Sequence, residues 1–181
     1  MSNNSENTSK RVQIEHALKN KPKTLIIGYG NPDREDDGVA WHILRGVADN
    51  FFIDIADPIE EELIQNNETL HFFFSLQLLP EITSELVAYT RICFVDAHTG
   101  ALVNDLNIQK LEAKFQNSPL THHMTPQTIL SILATAFNKY PASILVSVRG
   151  YQFGFENNLS PKTNALAQEA IDLITKWILN A

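Results

Sequence analysis

The apolar residues of this chain fall into short blocks that switch between two periods. Residues 24–28, 69–74, 91–95 and 143–148 are compact runs rich in Ile, Leu, Val and Phe. Runs of this length, apolar on successive residues, predict interior strands covered on both faces. Between them the spacing becomes helical. Val39, Ile43 and Val47, with Trp41, Leu44 and Ala48, predict a helix over 37–49. Gly46 inside it costs about 1 kcal/mol against alanine and so marks close packing. Ile82, Leu86 and Val87 predict a helix that starts at Pro80. Ile129, Leu130, Leu133, Ala134 and Phe137 predict one from Thr125-Pro126 to 138. Leu166, Ala170, Ile174, Trp177 and Ile178 predict a last one from Ser160-Pro161 to 179. Both of these open on a hydroxyl N-cap followed by proline at the first helical position.

The remaining segments carry weaker patterns. Residues 51–55 alternate like a strand, and 107–111 suit a short edge strand. Residues 58–67 are acidic and read as a surface segment, and 114–120 read as a loop. Residues 1–20 read as a poorly ordered extension with at most a short helix over 11–20. Strands alternating with helices predict an α/β fold. The expected architecture is a three-layer αβα sandwich with a mostly parallel twisted sheet of about five strands and helices on both faces. Residues 21–181 form its single domain, with no internal repeat and no linker.

Composition narrows the partners. The chain has 181 residues, 44% of them apolar, enough for one domain with a real core. Its net charge of −7 disfavours nucleic acid and anionic membranes. The one cysteine, Cys93, cannot form an internal disulfide and sits among Ile92, Phe94 and Val95, as a core residue would. The polar N-terminus lacks the apolar core of a signal peptide. No apolar run approaches the roughly 18 residues of a membrane span. The expected compartment is the cytoplasm.

Chemistry concentrates where the first strand gives way to the first helix. Gly28-Tyr29-Gly30-Asn31-Pro32 is followed by Asp33, Glu35, Asp36 and Asp37. A strand–loop–helix unit puts such a loop at the carboxyl edge of the sheet, where ligands bind in open α/β folds. The third glycine of a dinucleotide fingerprint would fall at Asp33, and a phosphate would meet acids, so the loop suits a cation. The same acids also suit the positive end of a helix. Ionisable groups stand at element ends in three places: Asp36/Asp37, Asp96 and His122/His123. Two carboxylates and an imidazole make a set for a borderline divalent cation with positions left open. Equally, Asp96 could cap a turn and the histidines could be solvated; the long spacing alone does not bring the three together. His42 and His71 read as structural, and His98 as either a support for Asp96 or plain loop. Neither a G-x-S-x-G elbow nor an H-E-x-x-H helix is present.

These residues resemble a known family. Gly28-Tyr29-Gly30-Asn31-Pro32 with Asp36-Asp37-Gly38-Val39 resembles the opening motif of the hydrogenase maturation proteases. Those endopeptidases trim the C-terminus of the [NiFe]-hydrogenase large subunit. Phe94-Val95-Asp96-Ala97 is similar to the family's second motif, and His122-His123-Met124-Thr125-Pro126 to its third. Gln77-Leu78-Leu79-Pro80-Glu81 and Leu159-Ser160-Pro161 resemble two further elements. The resemblance runs in order over residues 22–179. It departs at Ala40, where glycine is common, at Leu76, where histidine is often found, and over 54–74.

The resemblance implies the following expectations. Asp37, Asp96 and His122 are the metal-contacting and catalytic residues, His122 being preferred to His123 by its distance from Thr125. The substrate is the nickel-loaded precursor of a [NiFe]-hydrogenase large subunit, which brings its own nickel. The protein has no tightly bound cofactor of its own and acts as a monomer. Water activated by a carboxylate or polarised by the metal would attack the scissile carbonyl. Two other readings use the same residues. One is a metal-dependent hydrolase of another substrate, with its own zinc. The other is a non-catalytic accessory module that binds a metal-loaded partner.

Overall fold

The structure, a computed structural model, describes residues 2–55, 63–64, 68–113 and 124–181. In chain order it contains helix α1 (Ser2–Leu18), strand β1 (Thr24–Tyr29) and a 3-10 turn (Glu35–Gly38) that runs into α2 (Val39–Asn50). The two-residue strand β2 (Leu63–Ile64) precedes β3 (Leu70–Ser75). A second 3-10 turn (Pro80–Ile82) leads into the one-turn α3 (Thr83–Leu86). Then come β4 (Arg91–His98), β5 (Leu106–Leu111), α4 (Pro126–Phe137), β6 (Ala142–Arg149) and α5 (Pro161–Leu179).

The sheet has the order β2-β3-β1-β4-β6-β5. The four inner strands are parallel, and the two edges, β2 and β5, run antiparallel to their neighbours. Strand parity divides the core. Ile26, Cys93, Val95, Val146 and Val148 face one side, where they meet residues of α2 and α5 such as Ile43, Val47, Ile171 and Ile174. Leu25, Ile27, Ile92 and Phe94 face the other, against Leu86, Ile129 and Leu133. Both faces are covered, which is why the inner strands read as unbroken apolar runs. The three-layer α/β architecture is as expected, with six strands rather than about five once β2 is counted.

Several elements differ from the sequence reading. Helix α1 starts at Ser2 instead of 11. No glycine or proline interrupts the stretch, and its last turns are anchored by Leu18 in the core and Ile14 against it. Residues 51–55 are not a strand. Phe51 ends α2, with its N–H and that of Ile53 both donating to Ala48 O, and Phe52 adopts φ +55°. Their alternation is real, since Phe51, Ile53 and Ile55 are buried, but it fills the core without a ladder. The helix expected from Asp37 opens with the 3-10 turn, and the helix from Pro80 is little more than two turns. Strand β4 runs three residues past Val95, because all eight of its residues pair with β6.

Gly46 does mark close packing. A Cβ there would collide with the terminal methyl of Ile171 on α5. Trp41 of α2 packs edge-on against Phe74 of β3 at 5.4 Å. These contacts seat α2 and therefore the loop before it.

Candidate functional site

The connections leaving β1 and β4 run in opposite directions: β1 leads to β3 on one side, β4 to β5 and β6 on the other. Adjacent parallel strands of this kind leave a crevice at their carboxyl ends, the usual ligand position in open α/β sheets. The 30–38 loop follows β1 into this crevice, and Asp96 lies near the end of β4.

The two neighbouring acids of the loop have separate roles. Asp36 is completely buried. Its Oδ2 accepts from the N–H groups of Tyr151 (2.7 Å) and Gln152 (2.9 Å) and from the hydroxyls of Ser160 (2.8 Å) and Thr163 (2.7 Å). Its Oδ1 accepts from Ser160 N–H at 2.7 Å. Burial alone would raise its pKa, but these donors outweigh it and hold the carboxyl below its ordinary value. Asp36 is thus a structural anion that fastens the β1–α2 loop to the start of α5. Ser160 also caps that helix, accepting from Thr163 N–H at 3.3 Å.

Asp37 is half-buried, and its Oδ2 accepts from Asn31 N–H at 3.1 Å. The loop has no room for side chains at two glycines. Gly30 has φ +139°, and a Cβ there would strike the Asp37 carbonyl; one on Gly38 would come within 2.6 Å of Pro32 Cα. Glu35, at φ +47°, is held from the opposite side, its N–H donating to Glu156 O and its carboxylate accepting from Gly154 N–H.

Asp96 has the most perturbed carboxyl of the crevice. Burial is the main cause that pushes its pKa up to about 7, and the charge of Asp37 adds to it. Hydrogen bonds from the Tyr29 hydroxyl and Ala97 N–H oppose the rise. Tyr29 is itself held protonated, by burial first and then by Asp96. The structure therefore brings Asp37 and Asp96 into electrostatic contact, with Tyr29 at the buried side. Buried Ser147 pairs with Asp96 on β6.

Tyr29 was not singled out from sequence, though strand parity could have found it. It continues Leu25 and Ile27, and Asp96 continues Ile92 and Phe94, so both fall on the same face of the sheet. His122 and His123, the third part of the expected set, lie outside the described residues, as do 114–120 and much of 54–74. Among the described residues no group of three His, Cys, Asp or Glu side chains could hold a metal ion. The described part of the site offers two carboxylates.

The other candidates have structural places. His71 shares a hydrogen bond with Tyr89 at 2.6 Å in the core, and His42 meets the Asn157 carbonyl at 3.2 Å. Cys93 is fully buried and its thiol pKa is raised by that burial. His98 is loop support: its ring meets Asp105 O at 3.3 Å and accepts from Gly100 N–H at 3.2 Å. Asp105 in turn accepts from Arg149 (2.9 Å) and the Tyr151 hydroxyl (2.7 Å), fixing the loop after β4 beside the Asp36 network. No described helix is long and apolar enough to cross a membrane.

Neither a family model nor a curated protein matches the chain. Solved structures do. The [NiFe]-hydrogenase maturation protease HycI of Thermococcus kodakarensis KOD1 is 17% identical, with a TM-score of 0.61 over 93% of this chain and 99% of that one. The hydrogenase maturating endopeptidase HybD of E. coli is 17% identical, with a TM-score of 0.62 over 84% and 89%. The hydrogenase 2 maturation peptidase of a Thaumarchaeota archaeon is 18% identical, with a TM-score of 0.53 over 86% and 97%. The chain shares their fold along nearly their full length.

Proposed function

We propose that this chain is an endopeptidase that removes the C-terminal extension from the nickel-loaded precursor of a [NiFe]-hydrogenase large subunit. The observation that carries the reading is the Asp37–Asp96 pair at the switch between β1 and β4, on a fold shared with hydrogenase maturation proteases. The nickel belongs to the substrate. Asp37 and Asp96 contact it, and His122 is assigned as the third contact from the sequence motif.

The two carboxylates differ in what they can do. The Asn31 N–H holds one oxygen of Asp37 in place, so this carboxylate arrives pre-oriented. Without a metal, burial pushes the Asp96 carboxyl up to about 7, so it is partly protonated at neutral pH, and an approaching cation favours its ionised form. A positive ion near both carboxylates would relieve their mutual repulsion, so a metal-bearing substrate is favoured over a metal-free one. That difference makes the metal a condition for cleavage. A water polarised by the metal or deprotonated by a carboxylate then attacks the scissile carbonyl.

The test is incubation of the protein with a candidate large-subunit precursor, with and without nickel, read by intact mass. Loss of a C-terminal peptide from the nickel-loaded form alone is the expected result. Normal processing by Asp37→Ala or Asp96→Ala would overturn the assignment of these residues. Tight stoichiometric zinc with peptide hydrolysis would point to a self-contained metal hydrolase. Binding of the precursor without any mass change would point to an accessory module.

A further inference from the structure

The Gln77-Leu78-Leu79-Pro80-Glu81 stretch takes no part in the carboxylate pair or the Asp36 network. It forms one wall of a cleft of about 220 Å³. It is lined by Phe73 and Ser75 of β3, by the buried Leu78 and Ile82, and by the exposed Glu81 and Glu85. The wall is pinned: Ser75 Oγ donates to Gln77 O at 2.7 Å, and Thr83 Oγ1 donates to Pro80 O at 2.6 Å. Glu81 in the second 3-10 turn and Glu85 in α3 both line the cleft. Both are exposed, and neither makes an ion pair among the described residues.

The cleft is joined to the site already described. Ser75 is the register partner of Tyr29, and Gly30 N–H donates to the Ser75 carbonyl at 3.2 Å. Phe73 and Tyr29 pack against the same core cluster, on the face that carries Asp96. Strand β3 is two strands from β4, about 10 Å at normal strand spacing. One extended segment of a few residues can therefore reach both.

Apolar walls with two exposed carboxylates beside them suit a particular side chain. A long aliphatic stem needs the walls, and its cationic head needs the acids. We propose that this cleft takes a lysine or arginine side chain of the protein substrate. Its stem lies against Leu78 and Ile82, and its charge lies at Glu81 and Glu85. The choice of substrate rests on the protease reading; the choice of side chain rests on the cleft.

Two measurements keep these apart. In the first, amide shifts of residues 75–86 are followed by NMR while the peptides Ac-Ala-Lys-Ala-NH2, Ac-Ala-Met-Ala-NH2 and Ac-Ala-Glu-Ala-NH2 are added to the full chain. Saturable shifts with the lysine peptide alone, lost in Glu81→Gln/Glu85→Gln, are expected. No shifts, or equal shifts with the methionine peptide, would overturn the proposal whether or not the chain is a protease. In the second, the same double variant processes nickel-loaded precursor with KM raised about tenfold and kcat kept. An unchanged KM for a precursor that the wild-type chain cleaves would also overturn it. Cleavage of no precursor by the wild-type chain, with the lysine peptide still bound, would remove the protease reading and leave the cleft assignment standing.

Discussion

The Tyr29 hydroxyl hydrogen-bonds Asp96 from the neighbouring strand, and it is the side-chain donor that opposes the upward push of burial on that carboxyl. Tyr29→Phe removes the donor and leaves the packing. The Asp96 pKa is expected to move further above about 7. Carboxyl carbon NMR on the metal-free protein reads the shift directly. An unchanged titration would show that Tyr29 does not tune Asp96.

Asp96 also sets a stability difference with a definite sign. Its folded pKa of about 7 lies above the ordinary 3.8, so the folded state holds the proton more tightly. Stability is then lost as pH rises from about 4 to 7. Asp96→Asn cannot ionise and escapes this loss. Above pH 7 the variant is expected to be more stable than the wild type, by up to about 4 kcal/mol, and near pH 4 the gap closes. Urea melts at the two pH values check it, and the variant is expected to lose processing activity.

Asp36 has the opposite dependence. Its carboxyl lies below the ordinary value, so its contribution is present above about pH 4 and is lost as pH falls through the folded pKa. Asp36→Ala removes the acceptor of the Tyr151, Gln152 and Ser160 N–H groups, the last of them buried. It is expected to cost about 3–5 kcal/mol in denaturant melts at neutral pH, with a smaller difference in acid. Near-wild-type stability at neutral pH would contradict the structural role.

Gly30→Ala forces a side chain into φ +139° and onto the Asp37 carbonyl. A loss of about 2–4 kcal/mol is expected, together with displacement of Asp37. Chemical shifts at Asn31 and Asp37 in the variant, compared with those of the wild type, give the readout.

The fit of Gly46 under Ile171 predicts a coupled pair. Alanine at 46 gains about 1 kcal/mol of helix propensity but collides with the Ile171 terminal methyl, and overpacking costs about 1–3 kcal/mol. Gly46→Ala is expected to destabilise alone and to stabilise when Ile171→Val removes that methyl. Additive effects in a double-mutant cycle would contradict the contact.

What the sequence disclosed depended on how local each signal was. Thr125-Pro126 and Ser160-Pro161 marked the starts of α4 and α5 because a cap is decided within four residues. The inner strands were clear because burial on both faces leaves no polar interruption. The stretch 51–55 misled because alternation reports burial and says nothing of a hydrogen-bonded neighbour. The acids of the 30–38 loop were visible as a group, but the residues themselves could not separate Asp36 from Asp37. The difference lies in donors that stand more than 110 positions away in the chain. Tyr29 was passed over for a similar reason: its partner is on another strand.

The bonds from Ser160 to Asp36 close a loop across 124 positions of chain. Contacts of such separation form late, after the local helices and the nearer strand pairs. During synthesis, the turn that bears Asp37 stays without its anchor until Ser160 and Thr163 have left the ribosome. A chain that stops before Ser160 keeps the pairing of β1 with β4 but lacks the anchor of Asp36, so its 30–38 turn is held from one side fewer.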